Sequence, residues 1–143
     1  MSDQAEREVV LIIPMHPNME LAAAQTGSLL AEVMGFDEKS VEEIQLAIIE
    51  TCINAFEHSK SEDRRVHIRF IMKDKELELK ITDQGIGFQL DQDKLQPKRK
   101  SKKQEMRKRG WGLEIIKNMM DKVYVDSHEN ETTITMIKKK TRN

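Results

Sequence analysis

The chain has a single cysteine, few aromatic residues and no long apolar run, and each of these shortages excludes a class of protein. Cys52 alone cannot form an internal disulfide framework or a cysteine-rich zinc site, and it fits a reducing compartment. No apolar run approaches the ~20 residues that span a bilayer. Residues 1–4 are polar and acidic, unlike a signal peptide. We therefore expect a cytoplasmic protein without a membrane segment.

Aromatic residues make up only 4% of the 143 residues, so isoleucine, leucine, valine and nine methionines must fill the core. Hydrophobic residues account for 38% and charged residues for 34%. The hydrophobic fraction is low for a globular protein but not low enough for a disordered one. A chain of this length can bury roughly two-thirds of its unfolded surface, which favours one domain over residues 1–143.

The net charge is only −1, but it is unevenly distributed. Residues 98–109 contain eight basic side chains and one acidic side chain, Glu105, so the rest of the chain is strongly acidic. Such a segment can bind nucleic acid, a membrane surface or a polyanionic small ligand, or it can be a solvated loop. The acidic remainder and the lack of stacking aromatics in the segment argue against nucleic acid.

Hydrophobic periodicity predicts an α+β fold. The expected order is a strand at 8–13, helices at 18–34 and from Asp37 or Ser40 to 58, a hairpin of strands 65–72 and 76–83, a helix at 113–120, and strands at 122–127 and 132–138. This order predicts a two-layer α/β sandwich, with helices on one face of a mainly antiparallel mixed sheet.

Three details of the first two helices are also predicted. Asn18 is expected to cap the first helix and Gly35 to close it. Ser40 and Glu43 have capping-box spacing at the start of the second helix. The core-facing side chains of the first helix are expected to be Leu21, Ala24, Leu29, Leu30 and Val33.

The second helix is apolar almost all round between residues 44 and 56, and Glu50 and Asn54 interrupt this apolar surface. These two polar residues are one turn apart and lie on one side of the helix. They are either a satisfied polar pair or the lining of a pocket, in which Glu50 acts as a base and Asn54 binds a hard cation. His58 extends the row, and a favourable interaction with the helix dipole is sufficient to explain it.

Two glycine pairs follow. Gly85 and Gly87 come directly after a strand that ends at Asp83, whose oxygens can accept a hydrogen bond from an amino group. A tight turn is the commoner explanation of two glycines at such a position. Gly110 and Gly112 precede the third helix, where free backbone amides form an anion site. The spacing matches neither a P-loop nor a dinucleotide-binding fingerprint.

Taken in order, the segments Glu50–His58, Asp83–Phe88 and Arg109–Leu113 resemble the GHKL ATPase superfamily, which has the Bergerat ATP-binding fold. The short form of the chain most resembles the anti-sigma factor serine/threonine kinases of bacterial partner-switching systems. The resemblance covers residues from about 18 to 136.

The resemblance implies a role for each matching residue. Asn54 would be the Mg²⁺ ligand and Glu50 the general base. Asp83 would form the hydrogen bond that recognises adenine, and Gly85 and Gly87 would allow the nucleotide to approach. The residues implied in phosphate binding are Gly110, Gly112 and Leu113, with Lys108 or Arg109 facing the γ-phosphate. The basic segment then belongs to an ATP lid at about 88–110.

The implied function is an ATP- and Mg²⁺-dependent kinase that phosphorylates a small antagonist protein and binds a sigma factor or another regulator. The family also implies a homodimer. The alternatives are an ATP-gated binding module without phosphotransfer and a catalytic domain related to sensor histidine kinases. Three departures from the family pattern are Trp111 between the lid glycines, Ser59 where glycine is common, and no arginine in the first helix.

Overall fold

The computed structural model describes residues 7–59, 62–84, 113–128 and 131–141. The elements are β1 (Arg7–Pro14), α1 (Met19–Met34), α2 (Glu38–His58), β2 (Arg65–Met72), β3 (Glu76–Gln84), α3 (113–119), β4 (Lys122–His128) and β5 (Glu131–Lys139). This is the predicted order, and the element boundaries differ from those predicted by a few residues at most.

The five strands form one sheet in the order β1-β2-β3-β5-β4, and every pairing among them is antiparallel. One row of apolar residues crosses the whole sheet on the face that the helices cover: Leu11, Ile68, Ile81, Ile134 and Val125. The α+β class is confirmed, but the prediction of a mixed sheet is wrong for these five strands, since none of their pairings is parallel. The predicted hairpin is also confirmed, since β2 pairs with β3 and the Lys73 N–H donates to the Glu76 carbonyl across 3.0 Å.

The prediction of which α1 face enters the core is largely wrong. Leu21, Leu29 and Val33 are exposed, with Val33 at 69%. Ala24 is buried as expected, and Leu30 is partly buried against the core. The buried positions of α1 are Ala23, Ala24, Gly27 and Ala31. Because these side chains are small, α1 approaches α2 closely. The close packing stabilises the fold more than burial of the larger leucines would.

The predicted caps are partly wrong. The first helix follows Asn18, but this residue is left-handed at φ 79° and its side chain makes no capping hydrogen bond. Gly35 closes α1 at φ 90°, as predicted. Asp37 caps α2 by accepting a hydrogen bond from the Ser40 N–H at 2.9 Å. Glu43 forms no capping box, because its carboxylate binds Lys138 on β5 instead.

Contacts along α2 set its direction across the sheet. Lys138 meets Glu43 near the start of the helix, Thr51 donates to the Met136 sulfur at its middle, and Ser59 reaches Asp83 at its end. The helix therefore runs antiparallel to β5 and ends over the last residues of β3. No helix in the described ranges is long and apolar enough to cross a membrane.

Candidate functional site

The second half of α2 carries Asn54 on its buried side. Asn54 is only 4% exposed, and within the described ranges its Nδ2 has no hydrogen-bond partner. A buried polar atom without a partner is costly and rare in native proteins. The nitrogen and oxygen of an asparagine amide exchange places by a simple flip. The side chain can therefore present its carbonyl oxygen to a cation.

Glu50 lies one turn before Asn54 and is half-buried. Burial raises the pKa of its carboxyl group, and the negative charge of Glu57 raises it further. The interpretation of Glu50 as the member of a satisfied polar pair stays a prediction. A carboxylate with a raised pKa that keeps access to solvent is suited to accept a proton near neutral pH.

Asp83 is fully buried near the end of β3. Its Oδ1 accepts a hydrogen bond from the Ser59 hydroxyl at 3.0 Å, whereas Oδ2 has no partner in the described part of the chain. Burial raises the pKa of Asp83 to about 6, although the Ser59 hydrogen bond and the positive charge of Arg64 lower it. Among the residues that the structure describes, this oxygen is therefore an acceptor without a donor.

The Ser59–Asp83 hydrogen bond brings these groups to one edge of the molecule. Ser59 follows the last helical residue of α2, so Asn54 lies about 7.5 Å of helix rise from it. Within the described ranges, Asn54 near the end of α2 and Asp83 beyond it thus each carry a buried polar atom without a partner. Protein structures rarely leave such atoms unpaired unless a water or a ligand satisfies them. The predicted grouping of Glu50, Asn54 and Asp83 is consistent with this placement.

His58 lies in the last turn of α2, where a basic side chain interacts favourably with the helix dipole. Its Nε2 is 3.9 Å from a carboxylate oxygen of Glu57. This placement agrees with the structural interpretation of His58 rather than with a role in the chemistry.

The remaining predicted site residues fall mostly outside the described residues. These are Gly85, Gly87, Lys108, Arg109, Gly110 and Gly112, together with the lid at about 88–110 and Trp111. Leu113 opens the described part of α3, is half-buried and packs against the core. Its implied place beside phosphate stays a prediction.

The structure adds two residues that the sequence did not single out as part of a site. Ser59 was noted only as a departure from glycine, and its partner Asp83 is 24 residues away. Arg64 donates from its two terminal nitrogens to the carbonyls of Ser59 and Phe56, at 3.4 Å each, and so satisfies carbonyls at the end of α2. Neither relationship has a local sequence signal, because each depends on how α2 meets the sheet.

A resident metal centre built by the protein alone finds no support in the described ranges, which contain no group of three or more histidine, cysteine or carboxylate side chains able to hold an ion. A magnesium ion held mainly by phosphate oxygens needs only one or two protein ligands. The Asn54 amide fits that requirement.

Comparisons with known proteins point to one family. The sequence profile of the histidine kinase-like ATPase domain matches residues 17–138. A serine-protein kinase RsbW from Bacillus subtilis (strain 168) is 31% identical over 131 residues, which covers 88% of this chain and 81% of the relative. A protein of the same name from Halalkalibacterium halodurans is 33% identical over 101 residues, covering 68% of this chain and 62% of the relative.

A solved structure has the same fold. The chain superimposes with a TM-score of 0.71 on the crystal structure of the RsbU and RsbW domains of a Mycobacterium tuberculosis protein. The match is 16% identical in sequence and covers 96% of this chain but 33% of that one. At this identity the likeness concerns the fold alone, and the chain spans a third of the length of the longer protein.

Proposed function

The chain belongs to the histidine kinase-like ATPase domain family, and on that premise we propose that it is an ATP-dependent serine/threonine protein kinase. Its relatives named serine-protein kinase RsbW support this choice over a catalytic domain of the sensor histidine kinase type. Its substrate would be a small antagonist protein of a partner-switching system, and its regulated target a sigma factor or another regulator. The buried free thiol Cys52 agrees with a cytoplasmic location.

The observation that carries the proposal is the buried Oδ2 of Asp83, which has no hydrogen-bond partner among the described residues. An ionised carboxylate only accepts hydrogen bonds, and adenine offers an exocyclic amino group as donor. A buried acceptor at the end of a strand, close to the Glu50 and Asn54 side of α2, is suited to hold adenine. The phosphates would then extend from this edge toward α2 and α3.

Glu50 would act as the general base in phosphotransfer. Its carboxylate takes the proton from the substrate serine or threonine hydroxyl, and the hydroxyl oxygen attacks the γ-phosphorus while the bond to the departing ADP breaks. The raised pKa of Glu50 suits this role, because a base works best when its pKa is near the working pH.

Phosphate charge would be neutralised from three directions. Mg²⁺, when bound, neutralises charge on the phosphates, and the Asn54 amide would contribute one ligand. As the resemblance implies, the backbone amides of Gly110, Gly112 and Leu113 would bind phosphate oxygens. Lys108 or Arg109 would face the γ-phosphate, and the basic lid would cover a polyphosphate ligand.

A homodimer is the remaining part of the proposal. Leu21, Leu29 and Val33 repeat at multiples of four residues along α1 and form an exposed apolar stripe. An exposed apolar stripe favours binding to another apolar surface, such as the same stripe on a second copy of the chain. Light scattering of the purified chain tests this directly, and Leu29→Glu is expected to convert a dimer into a monomer. A chain that is monomeric before substitution contradicts the dimer without affecting the kinase proposal.

The experiment that tests the proposed function uses the protein as bait in lysate of its source organism. One sample contains Mg-ADP and the other Mg-ATP, and mass spectrometry identifies the captured proteins and their phosphosites. We expect a small protein held with ADP and released, carrying a new phosphoserine or phosphothreonine, with ATP. Nucleotide-dependent capture without a phosphosite would instead identify an ATP-gated binding module. Capture of the same proteins, with the same phosphosites, in the Mg-ADP and Mg-ATP samples would overturn the proposal.

A further inference from the structure

The Ser59 hydroxyl group forms a hydrogen bond with the Asp83 carboxylate, which is proposed to recognise adenine. It is the first residue beyond α2, in extended backbone, and its Oγ donates to Asp83 Oδ1 across 3.0 Å. Its half-buried position shields this hydrogen bond from water. The bond occupies one oxygen of Asp83 and leaves Oδ2 for a ligand.

The backbone around Ser59 is held in place by three further hydrogen bonds. Its N–H donates to the Ala55 carbonyl at 2.9 Å, which closes the last turn of α2. The Arg64 guanidinium donates to the Ser59 and Phe56 carbonyls. The hydroxyl is therefore presented to Asp83 from a backbone that these hydrogen bonds hold in place.

We propose that Ser59 is a positioning residue for base selection, which keeps Asp83 ionised and turns its free oxygen toward the exocyclic amino group of adenine. This inference rests on the proposed nucleotide site. An ionised Asp83 accepts a hydrogen bond from the 6-amino group of adenine and opposes the 6-oxo group of hypoxanthine or guanine. A protonated Asp83 gains an O–H donor and loses this discrimination.

Charge and burial around Asp83 make the hydroxyl necessary. Burial favours the protonated form, and the opposing influences are the Ser59 hydrogen bond and the positive charge of Arg64. The residues in register with Asp83 on the neighbouring strands, Val66 and Thr132, carry no charge. The titratable side chains of the adjacent half of α2 are Glu50, Cys52, Glu57 and His58.

Removing the hydroxyl should therefore produce a loss of affinity that depends on pH. A hydrogen bond to a charged group is strong enough to shift a pKa by about one unit. With Ser59→Ala, the fall in ADP affinity is then expected to be about threefold at pH 6.5 and about eightfold at pH 5.5, with almost no change at pH 8.5. A loss of packing alone would reduce affinity by the same factor at every pH.

The test is calorimetric titration of the full chain with ADP and with inosine diphosphate between pH 5.5 and 8.5. Ser59→Thr and Ser59→Val form a matched pair that differs in a hydroxyl against a methyl group. We expect Thr to retain the wild-type pH profile. Val should show the shifted profile and a reduced preference for ADP over inosine diphosphate at pH 6.5. Carbon-13 NMR titration of the Asp83 carboxyl in nucleotide-free protein gives the same shift without any ligand.

Three results would separate the possible failures. Equal profiles for the Thr and Val variants, or a loss that is the same at all pH values, would overturn the role of Ser59 while leaving the nucleotide site intact. Unshifted titration of Asp83 in the Val variant would do the same. Wild-type protein that binds neither nucleotide at any pH would overturn the proposed function and this inference together.

Discussion

Lys138 on β5 donates a hydrogen bond from its Nζ to Oε1 of Glu43 on α2, across 2.6 Å. Lys138 is buried on the covered face of the sheet, and its ammonium also donates to the Met119 carbonyl at the end of α3. One side chain thus joins β5, α2 and α3. The Lys139 N–H adds a 2.6 Å hydrogen bond to the Asp121 carboxylate just after α3. These contacts fix α3, whose start is proposed to bind phosphate.

Replacement of Lys138 by methionine should destabilise the fold. It leaves the half-buried Glu43 carboxylate and the Met119 carbonyl without their donor, and we expect the free energy of unfolding to fall by about 2–3 kcal/mol. Urea unfolding measures the change. Lys139→Met, at an exposed neighbouring position, is the matched control and should be nearly neutral. Equal effects of the two substitutions would contradict a structural role for the buried ammonium.

The close approach of α1 to α2 predicts the effect of adding one methyl group at Gly27. A Cβ there would lie 2.3 Å from Cδ1 of Ile48 and 3.4 Å from a ring carbon of Phe70. Overpacking should outweigh the better helix propensity of alanine, so Gly27→Ala is expected to cost about 1–2 kcal/mol. Ile48→Val removes the clashing Cδ1, and the double variant should recover part of the loss. A Gly27→Ala protein as stable as wild type would show that the helices are further apart.

Much of the fold was predictable because its strands alternate regularly. The buried residues recur at every second position from Val66 to Phe70 in β2, where Ile71 is buried as well, and from Leu77 to Asp83 in β3. This period identifies the strands and predicts their pairing. The buried face of a helix was harder to predict. Leu29 is 58% exposed while Gly27 is buried, because the distance between α1 and α2 is set by small residues that hydrophobicity alone does not favour for a core.

The candidate site, like the fold, could be predicted only in part. Glu50 and Asn54 stood out as polar residues on an apolar helix, and Asp83 stood out at the end of a strand before two glycines. Ser59 did not stand out as a partner of Asp83, because that contact exists only once α2 lies across the sheet and ends over β3. Local pattern therefore identified the groups proposed to do chemistry, whereas tertiary packing determined what positions them.

Asp83→Asn should stabilise the nucleotide-free protein above pH 6. Because the folded protein raises the pKa of Asp83 to about 6 from its ordinary value of 3.8, the folded state binds more protons between these values. Stability from this group is thus lost as pH rises through that window, and asparagine removes the loss. We expect a gain of about 1–2 kcal/mol at pH 7.5 and little gain near pH 4, measured by urea unfolding.

The same variant should lose ADP binding, since an amide presents a donor as well as an acceptor at the position of the carboxylate. Calorimetry with wild-type protein as control checks this. A destabilised variant at pH 7.5, or one that binds ADP as tightly as wild type, would contradict the assignment of Asp83 as a costly buried acceptor.

Glu57 should tune the pH dependence of phosphotransfer through Glu50. The carboxylate of Glu57 contributes to the raised pKa of Glu50, after burial. The rate should fall as pH drops through that raised pKa, because protonated Glu50 cannot accept a proton. Glu57→Gln removes this negative charge, lowers the pKa of Glu50 and is expected to move the acidic limb to lower pH. Glu42→Gln, an exposed position on the same helix, should leave the profile unchanged, and an equal shift in both would contradict the coupling.

The central claim, that this chain transfers phosphate to a protein hydroxyl with Glu50 as base, is tested most directly with γ-labelled ATP and the captured antagonist. Single-turnover transfer is compared between wild type and Glu50→Gln, with ADP affinity measured for each and Glu42→Gln as the folding control. We predict labelled serine or threonine with wild type and a rate at least ~100-fold lower for Glu50→Gln, at nearly unchanged ADP affinity. Equal rates, or no transfer by the wild-type protein, would contradict the account.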